Sequence, residues 1–266
     1  MSDGDDGALI PAPASLADLR RHTAARVALG RAGNALPTAA HLQFTLDHAK
    51  ARDAVWSAID GTRLIEALRA RGLKAAGTAS RAGDRATYVR RPDLGRQLPA
   101  ETAAGLRTSL GPARIVLVIA DGLSAAAVEA NALALVDALA PRLAAEGHGI
   151  DAAVVVEQGR VAIGDPIGAA LGADLVIMLI GERPGLSAAD SLGCYLTFRP
   201  VAGMPDSGRN CVSNIRPEGL PPANAAFKIA WLAREALRRE LTGIDLKEES
   251  AAELAARPAA ALIEGA

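Results

Sequence analysis

Three loops carry residue types that could hold a polar ligand. The first is Glu157-Gln158-Gly159-Arg160-Val161, where glycine permits close backbone approach and the Val161 amide could donate to a ligand carbonyl while its side chain covers an apolar ring. Read from its residues alone, Val161 equally starts the next core segment, and that reading is the more ordinary one. The second is Gly181-Glu182-Arg183-Pro184-Gly185, which follows the apolar run LVIMLI. The Glu182 carboxylate could accept hydrogen bonds from ligand amides; the alternative is a surface Glu–Arg pair, worth little energetically. The third is Arg209-Asn210-Cys211-Val212-Ser213-Asn214. Cys211 there reads either as a contact residue or as a small buried hydrophobe, and Cys194 reads as the latter. Asp121, before Gly122, could join the same edge or satisfy backbone donors in its own turn.

Self-sufficient catalytic patterns are missing. Gly147, Gly149 and Ala152 match G-x-G-x-x-A, but the run precedes a strand instead of following one, so it is no dinucleotide fingerprint. No phosphate loop of the G-x-x-x-x-G-K-[ST] type, no H-E-x-x-H, no C-x-x-C and no G-x-S-x-G occurs. His22, His41, His48 and His148 are scattered, and His41 with His48 reads as two polar helix residues before it reads as a metal pair. No catalytic residue and no metal ligand is therefore assigned. Arg81, Arg85, Arg90, Arg91 and Arg96 around Tyr88 suit a protein interface or, by default, a solvated face.

The elements that must carry these loops follow the grammar of an α/β fold. RIVLVIAD (Arg114 to Asp121) is a short β-branched run of the kind a strand buried on both faces shows. Ser124 is an N-cap for a helix whose apolar face holds Val128, Ala132, Leu135, Leu139 and Leu143, with Gly147 to end it. A strand at Ala152 to Val156, a short helix near Pro166 to Leu171 and a strand at Asp174 to Ile180 complete a βαβ series. Cys194 to Phe198 and Cys211 to Ile215 are further strand candidates. Pro221 and Pro222 lead into a last helix with Lys228, Glu235 and Arg239 expected on its outer face. Ser15 and Asp18 suggest a weak capping box, and Thr38 caps a helix toward Trp56. The organisation expected is a disordered lead-in (1–14), a mainly helical N-terminal region (15–110), an α/β domain (111–246) and a C-terminal tail (247–266). The fold class is α/β, a Rossmann-like open parallel sheet flanked by helices.

Composition sets the limits. The 266 residues are 50% hydrophobic but only 3% aromatic, so the core is aliphatic, and the formal charge of -1 offers no global basic field for nucleic acid or an anionic membrane. Two cysteines suggest no disulfide framework and a reduced cytosolic setting. No apolar run approaches the roughly 20 residues of a membrane span. The acidic start MSDGDDGALIPAPAS lacks the order of a secretory signal.

The words ARVALGRAG, DRATYVRRPDLGR, VVEQGRVAIGDPIG, LIGERPGLS and RNCVSNIRPEGL, in this order from about Leu16 to Leu246, resemble the small subunit (light chain) of adenosylcobalamin-dependent ethanolamine ammonia-lyase. The resemblance implies a partner, the large subunit, a TIM-barrel chain that holds ethanolamine, in a hetero-oligomer of six plus six chains. It implies that adenosylcobalamin is clamped between the two chains for radical conversion of ethanolamine to acetaldehyde and ammonia. It assigns cofactor contacts to Val161, Glu182 and Cys211, and leaves the hard chemistry to the cofactor. No D-x-H-x-x-G occurs, so the cofactor is expected base-on, keeping its own nucleotide base under the cobalt. The N-terminus lacks the amphipathic helix that directs some family members into a bacterial microcompartment, which favours the cytoplasm, with the partner chain as the remaining route into a shell. The competing readings are an autonomous α/β nucleotide-binding enzyme, disfavoured by the missing phosphate loop, and a non-catalytic structural adaptor of a larger complex.

Overall fold

The computed structural model describes residues 18–252, so the Ser15 cap, the lead-in and the tail beyond residue 252 lie outside the described residues. The chain forms two compact units divided between Lys50 and Ala51. In the first, a 3-10 turn at Asp18–Arg21 precedes helix α1 (Thr38–Trp56), whose last residues belong to the second unit. Arg26 pairs with Asp47 at 2.7 Å and lies over the Phe44 ring, and Gln43 donates to the same carboxylate.

The second unit is built on a six-stranded sheet of order β1-β3-β2-β4-β5-β6. Its elements are α2 (Gly61–Ala70), β1 (Ala75–Ala79), α3 (Arg85–Arg90), α4 (Ala100–Leu110), β2 (Ile115–Ala120), α5 (Ala125–Ala145), β3 (Ala152–Glu157), α6 (Gly164–Leu171), β4 (Leu175–Gly181), β5 (Leu192–Phe198), β6 (Asn210–Ile215) and α7 (Pro222–Arg239). The four strands β1 to β4 run parallel, and β5 and β6 add antiparallel to the edge. The expected open parallel sheet is thus present, with two antiparallel strands added at one edge. The turn Gly185–Ala188 lets the chain double straight back from β4 into β5, where a parallel strand would need a crossover helix.

β2 and β4 are buried throughout because helices cover both faces. One face (Leu117, Ile119, Val155, Ile177, Leu179) packs on α2, α5 and α7; the other (Val118, Val154, Val156, Val176, Met178) packs on α4 and α6. Ser124 caps α5 by accepting from the Ala127 amide at 3.1 Å, and Gly147 just past it has φ +76°, as expected of a helix stop.

Two expectations change. Strand β1, AAGTA, falls inside the stretch read as helical; as an edge strand of small residues it shows no apolar alternation. Glu235 is buried and not on an outer face, its carboxylate held by Arg238 at 2.5 Å with Arg234 and Arg239 beside it.

Candidate functional site

Parallel pairing brings the carboxyl ends of β2, β3 and β4 to one end of the sheet, so the loops that follow them open together. Between these loops lies a cavity of about 430 Å³ whose walls include Gly122, Arg160, Val161, Glu182, Arg183 and Tyr195. Two of the three residues singled out from sequence, Val161 and Glu182, therefore share one cavity. A wider cavity of about 680 Å³ begins at the next residue, Ala162, and is bordered by Arg81, Arg96, Met204 and Asp206.

Val161 opens a 3-10 turn that leads into α6. Among the described residues its N–H donates to no protein acceptor, whereas Arg160 N–H donates to the Gly95 carbonyl at 2.7 Å. Glu182 sits half-buried just past β4. Its Oε2 accepts from the Ser191 hydroxyl at 2.5 Å and the Asn214 amide at 3.2 Å, while Oε1 takes no protein donor among the described residues. The surface Glu182–Arg183 pair is not formed; the carboxylate turns toward β5 and β6 instead. It passes over Gly193, where a Cβ would stand 3.0 Å from Oε1.

Cys211 is not at a loop tip. It is the second residue of β6, exposed, and opposite Tyr195 of β5. Tyr195 lines the cavity, so Cys211 stands one strand beyond its wall. Helices α5 and α7 cover one face of this edge, and on the other Tyr195 is half-exposed and Cys211 and Ser213 are exposed. Desolvation pushes the Cys211 thiol and the Tyr195 phenol up, and each is pushed further by Glu182. Both stay neutral near pH 7, suited to contact and not to nucleophilic attack. Cys194, on the opposite face, is wholly buried, and burial raises its thiol well above the usual range.

Other expectations are corrected here. Gly159 has a packing reason: a Cβ there would stand 2.8 Å from the Ala120 side chain, so the glycine lets the loop lie against the core. Asp121 is buried and binds the neighbouring loop as well as its own turn, accepting from the Gln158 and Gly159 amides at 3.0 and 3.1 Å and drawn down by the Gly122 amide. Burial pushes its carboxyl up to about 6, against the opposing pull of those amides and of Arg85. Tyr88 is no interface aromatic; it is fully buried, its hydroxyl donating to the Gly159 carbonyl at 3.0 Å. The Arg85 and Arg160 guanidinium carbons lie 4.7 and 4.2 Å from its ring centre. Sequence reading missed Tyr195, and the LGCYLTF alternation that puts it opposite buried Cys194 was the available signal.

Comparison with known proteins identifies the family. The family description "Ethanolamine ammonia-lyase light chain" matches residues 13–247. The ethanolamine ammonia-lyase small subunit of Bradyrhizobium diazoefficiens is 59% identical over 236 residues, covering 88% of this chain and 90% of the relative. That of Azotobacter vinelandii is 54% identical over 236 residues, 87% of each chain. That of Rhodopseudomonas palustris is 54% identical over 242 residues, 91% of this chain and 93% of the relative. The chain belongs to the family of ethanolamine ammonia-lyase light chains.

Proposed function

We propose that this chain, with a large subunit, clamps adenosylcobalamin for the conversion of ethanolamine to acetaldehyde and ammonia, and that Val161, Glu182 and Cys211 contact the cofactor. The observation that carries the reading is the pairing, across one open cavity, of an unclaimed amide donor at Val161 with an unclaimed carboxylate oxygen at Glu182. A corrin ring is rimmed with carboxamides, which need one donor and one acceptor each. Its body is broad and apolar, and the bare face of β5 and β6 beside Tyr195 and Cys211 offers a surface of that kind. The residues present fit the group.

Bound adenosylcobalamin supplies the radical chemistry. The chain's own part is to accept a carboxamide N–H at Glu182 Oε1, donate from Val161 N–H to a carboxamide carbonyl, and cover the ring edge against water. None of these residues is expected to exchange a proton with substrate. Substrate choice then resides in the large subunit, which closes the site from the opposite side. The reading includes six copies of each chain, cytoplasmic residence, and entry into a microcompartment only through the partner.

A mixing assay with one variant tests it. The chain alone deaminates nothing, and the large subunit with adenosylcobalamin becomes active only when the chain is added. Glu182→Gln is the sharper probe. One face of that amide must turn a donor either on the Asn214 amide or on the ligand. Loss of a charge-assisted bond of roughly 1.5–3 kcal/mol raises the apparent cofactor KM by about one to two decades, with ethanolamine KM much less affected. An unchanged cofactor KM in the assembled variant removes Glu182 from the site. Full activity of the large subunit by itself reduces this chain to an adaptor.

A further inference from the structure

The loop that presents Val161 is held from beneath, one backbone group at a time. Asp121 Oδ2 accepts from Gln158 N–H and Oδ1 from Gly159 N–H, at 3.0 and 3.1 Å. Tyr88 hydroxyl donates to Gly159 carbonyl at 3.0 Å, and Arg160 N–H donates to Gly95 carbonyl at 2.7 Å. Val161 N–H is the next donor along the chain, and among the described residues it has no protein acceptor. The loop conformation does not sustain itself: Gln158 has φ +56°, a left-handed backbone that a non-glycine residue adopts at a cost. Arg85 locks the arrangement, with Nη1 donating to Asp121 Oδ2 at 3.3 Å and to Gln158 Oε1 at 3.2 Å.

We infer that Asp121 and Tyr88 are positioning residues for the cofactor, which fix the 158–160 backbone so that Val161 N–H stands ready at the cavity wall. The inference rests on the cobalamin reading of the Val161 and Glu182 cavity. Asp121 does not line the cavity, and Tyr88 borders it from beneath, fully buried. Each acts through the loop: Asp121 from the end of β2 and Tyr88 from α3, so the donor is oriented by two elements that meet only in the folded chain. Preorganisation of this kind removes an ordering cost at the moment of binding.

The test uses the assembled complex with its large subunit and three variants, Tyr88→Phe, Asp121→Asn and Glu182→Gln. Cyanocobalamin, which cannot react, serves as the probe in equilibrium dialysis, and amide hydrogen exchange is followed across residues 157–163 in the absence of cobalamin. Tyr88→Phe, which removes one hydroxyl at constant shape, should weaken cyanocobalamin roughly two- to tenfold and speed exchange in that segment. A pH series adds a reading that general loosening would not give. Burial pushes the Asp121 carboxyl up to about 6, and the groups that face it are the Arg85 guanidinium and the Tyr88 phenol of α3, the latter pushed well above its usual range by burial. Unaltered protein should bind cyanocobalamin more weakly as pH falls through about 6, because a protonated carboxyl turns a donor on the loop amides. Asp121→Asn should bind weakly with no such step. If Tyr88→Phe and Asp121→Asn bind as tightly as the unaltered protein while Glu182→Gln is weakened, the positioning role is wrong and the site stands. If all three bind normally, both the positioning role and the site are wrong. Weaker binding without faster exchange at 157–163, or a pH step that persists in Asp121→Asn, also overturns it. Should Asp121→Asn fail to assemble, Tyr88→Phe decides by its affinity and exchange.

Discussion

At the residue scale, Asp121 sets stability and presentation against each other. Its carboxyl is 1% exposed, and burial raises its pKa from 3.8 to about 6. Between those values the native state binds the proton and the unfolded chain does not, so stability falls as pH rises through this window. The shift corresponds to about 3 kcal/mol, fully lost above pH 6. The ionised form, with its two loop amides and Arg85, is the one present at neutral pH, where the site must work. Urea unfolding of the chain from pH 4 to 7 should therefore show a decline in stability on the order of that figure, and Asp121→Asn should flatten it. An equal slope in both proteins would refute the assignment. Other carboxylates with lowered pKa, such as Asp84 under the Thr87 amide, lose their contribution only as pH falls below about 4, and the difference between the two proteins cancels any onset.

At the element scale, the start of β6 is tied to the head of α6 by a buried ion pair. Arg209 meets both Asp165 carboxylate oxygens, at 2.5 and 2.6 Å, and also donates to Thr197 Oγ1 and to the Met204 carbonyl. Both side chains are only 2% exposed. Asp165 also borders the wider cavity, and Arg209 is two residues from Cys211, so the bridge fixes the edge where the bare face begins. Buried pairs of this sort contribute less to net stability than to uniqueness of packing, but breaking one strands a charge. Arg209→Ala should cost about 3–5 kcal/mol in urea unfolding, and Arg209→Met with Asp165→Leu should recover most of it. A double variant as unstable as the single one would contradict this account. None of this was visible in the sequence, where Asp165 and Arg209 lie in two loops with no shared pattern.

At the scale of the whole molecule, the face of β5 and β6 opposite α5 and α7 is open beside the cavity, with Tyr195 half-exposed and Cys211 exposed. Among the described residues no helix is long and apolar enough to cross a membrane, and no group of three or more His, Cys, Asp and Glu side chains is arranged to hold a metal ion. If the proposed cobalamin reading holds, the absence of a D-x-H-x-x-G loop from the sequence leaves the cofactor to bind base-on. Electron spin resonance of the turning-over complex, with histidine nitrogens of both chains isotopically labelled, should show coupling to cobalt(II) only from the unlabelled nucleotide nitrogen. Coupling from a protein histidine would overturn the base-on reading.

The sequence by itself determined the buried strands, the caps and the order of the βαβ series, because RIVLVIA, AAVVV and LVIMLI can satisfy both backbone and side chains only as strands covered on both faces. It also carried the family words and, through them, the proposal of Val161, Glu182 and Cys211 as contacts. Only tertiary structure decided what those residues face. That Glu182 reaches Ser191 and Asn214, that Cys211 lies behind Tyr195, that β1 joins the sheet, and that Asp121 and Tyr88 support the Val161 loop all depend on contacts between distant segments. Local periodicity records which side of an element is buried, and the identity of the neighbour on that side is fixed only when the sheet closes its register.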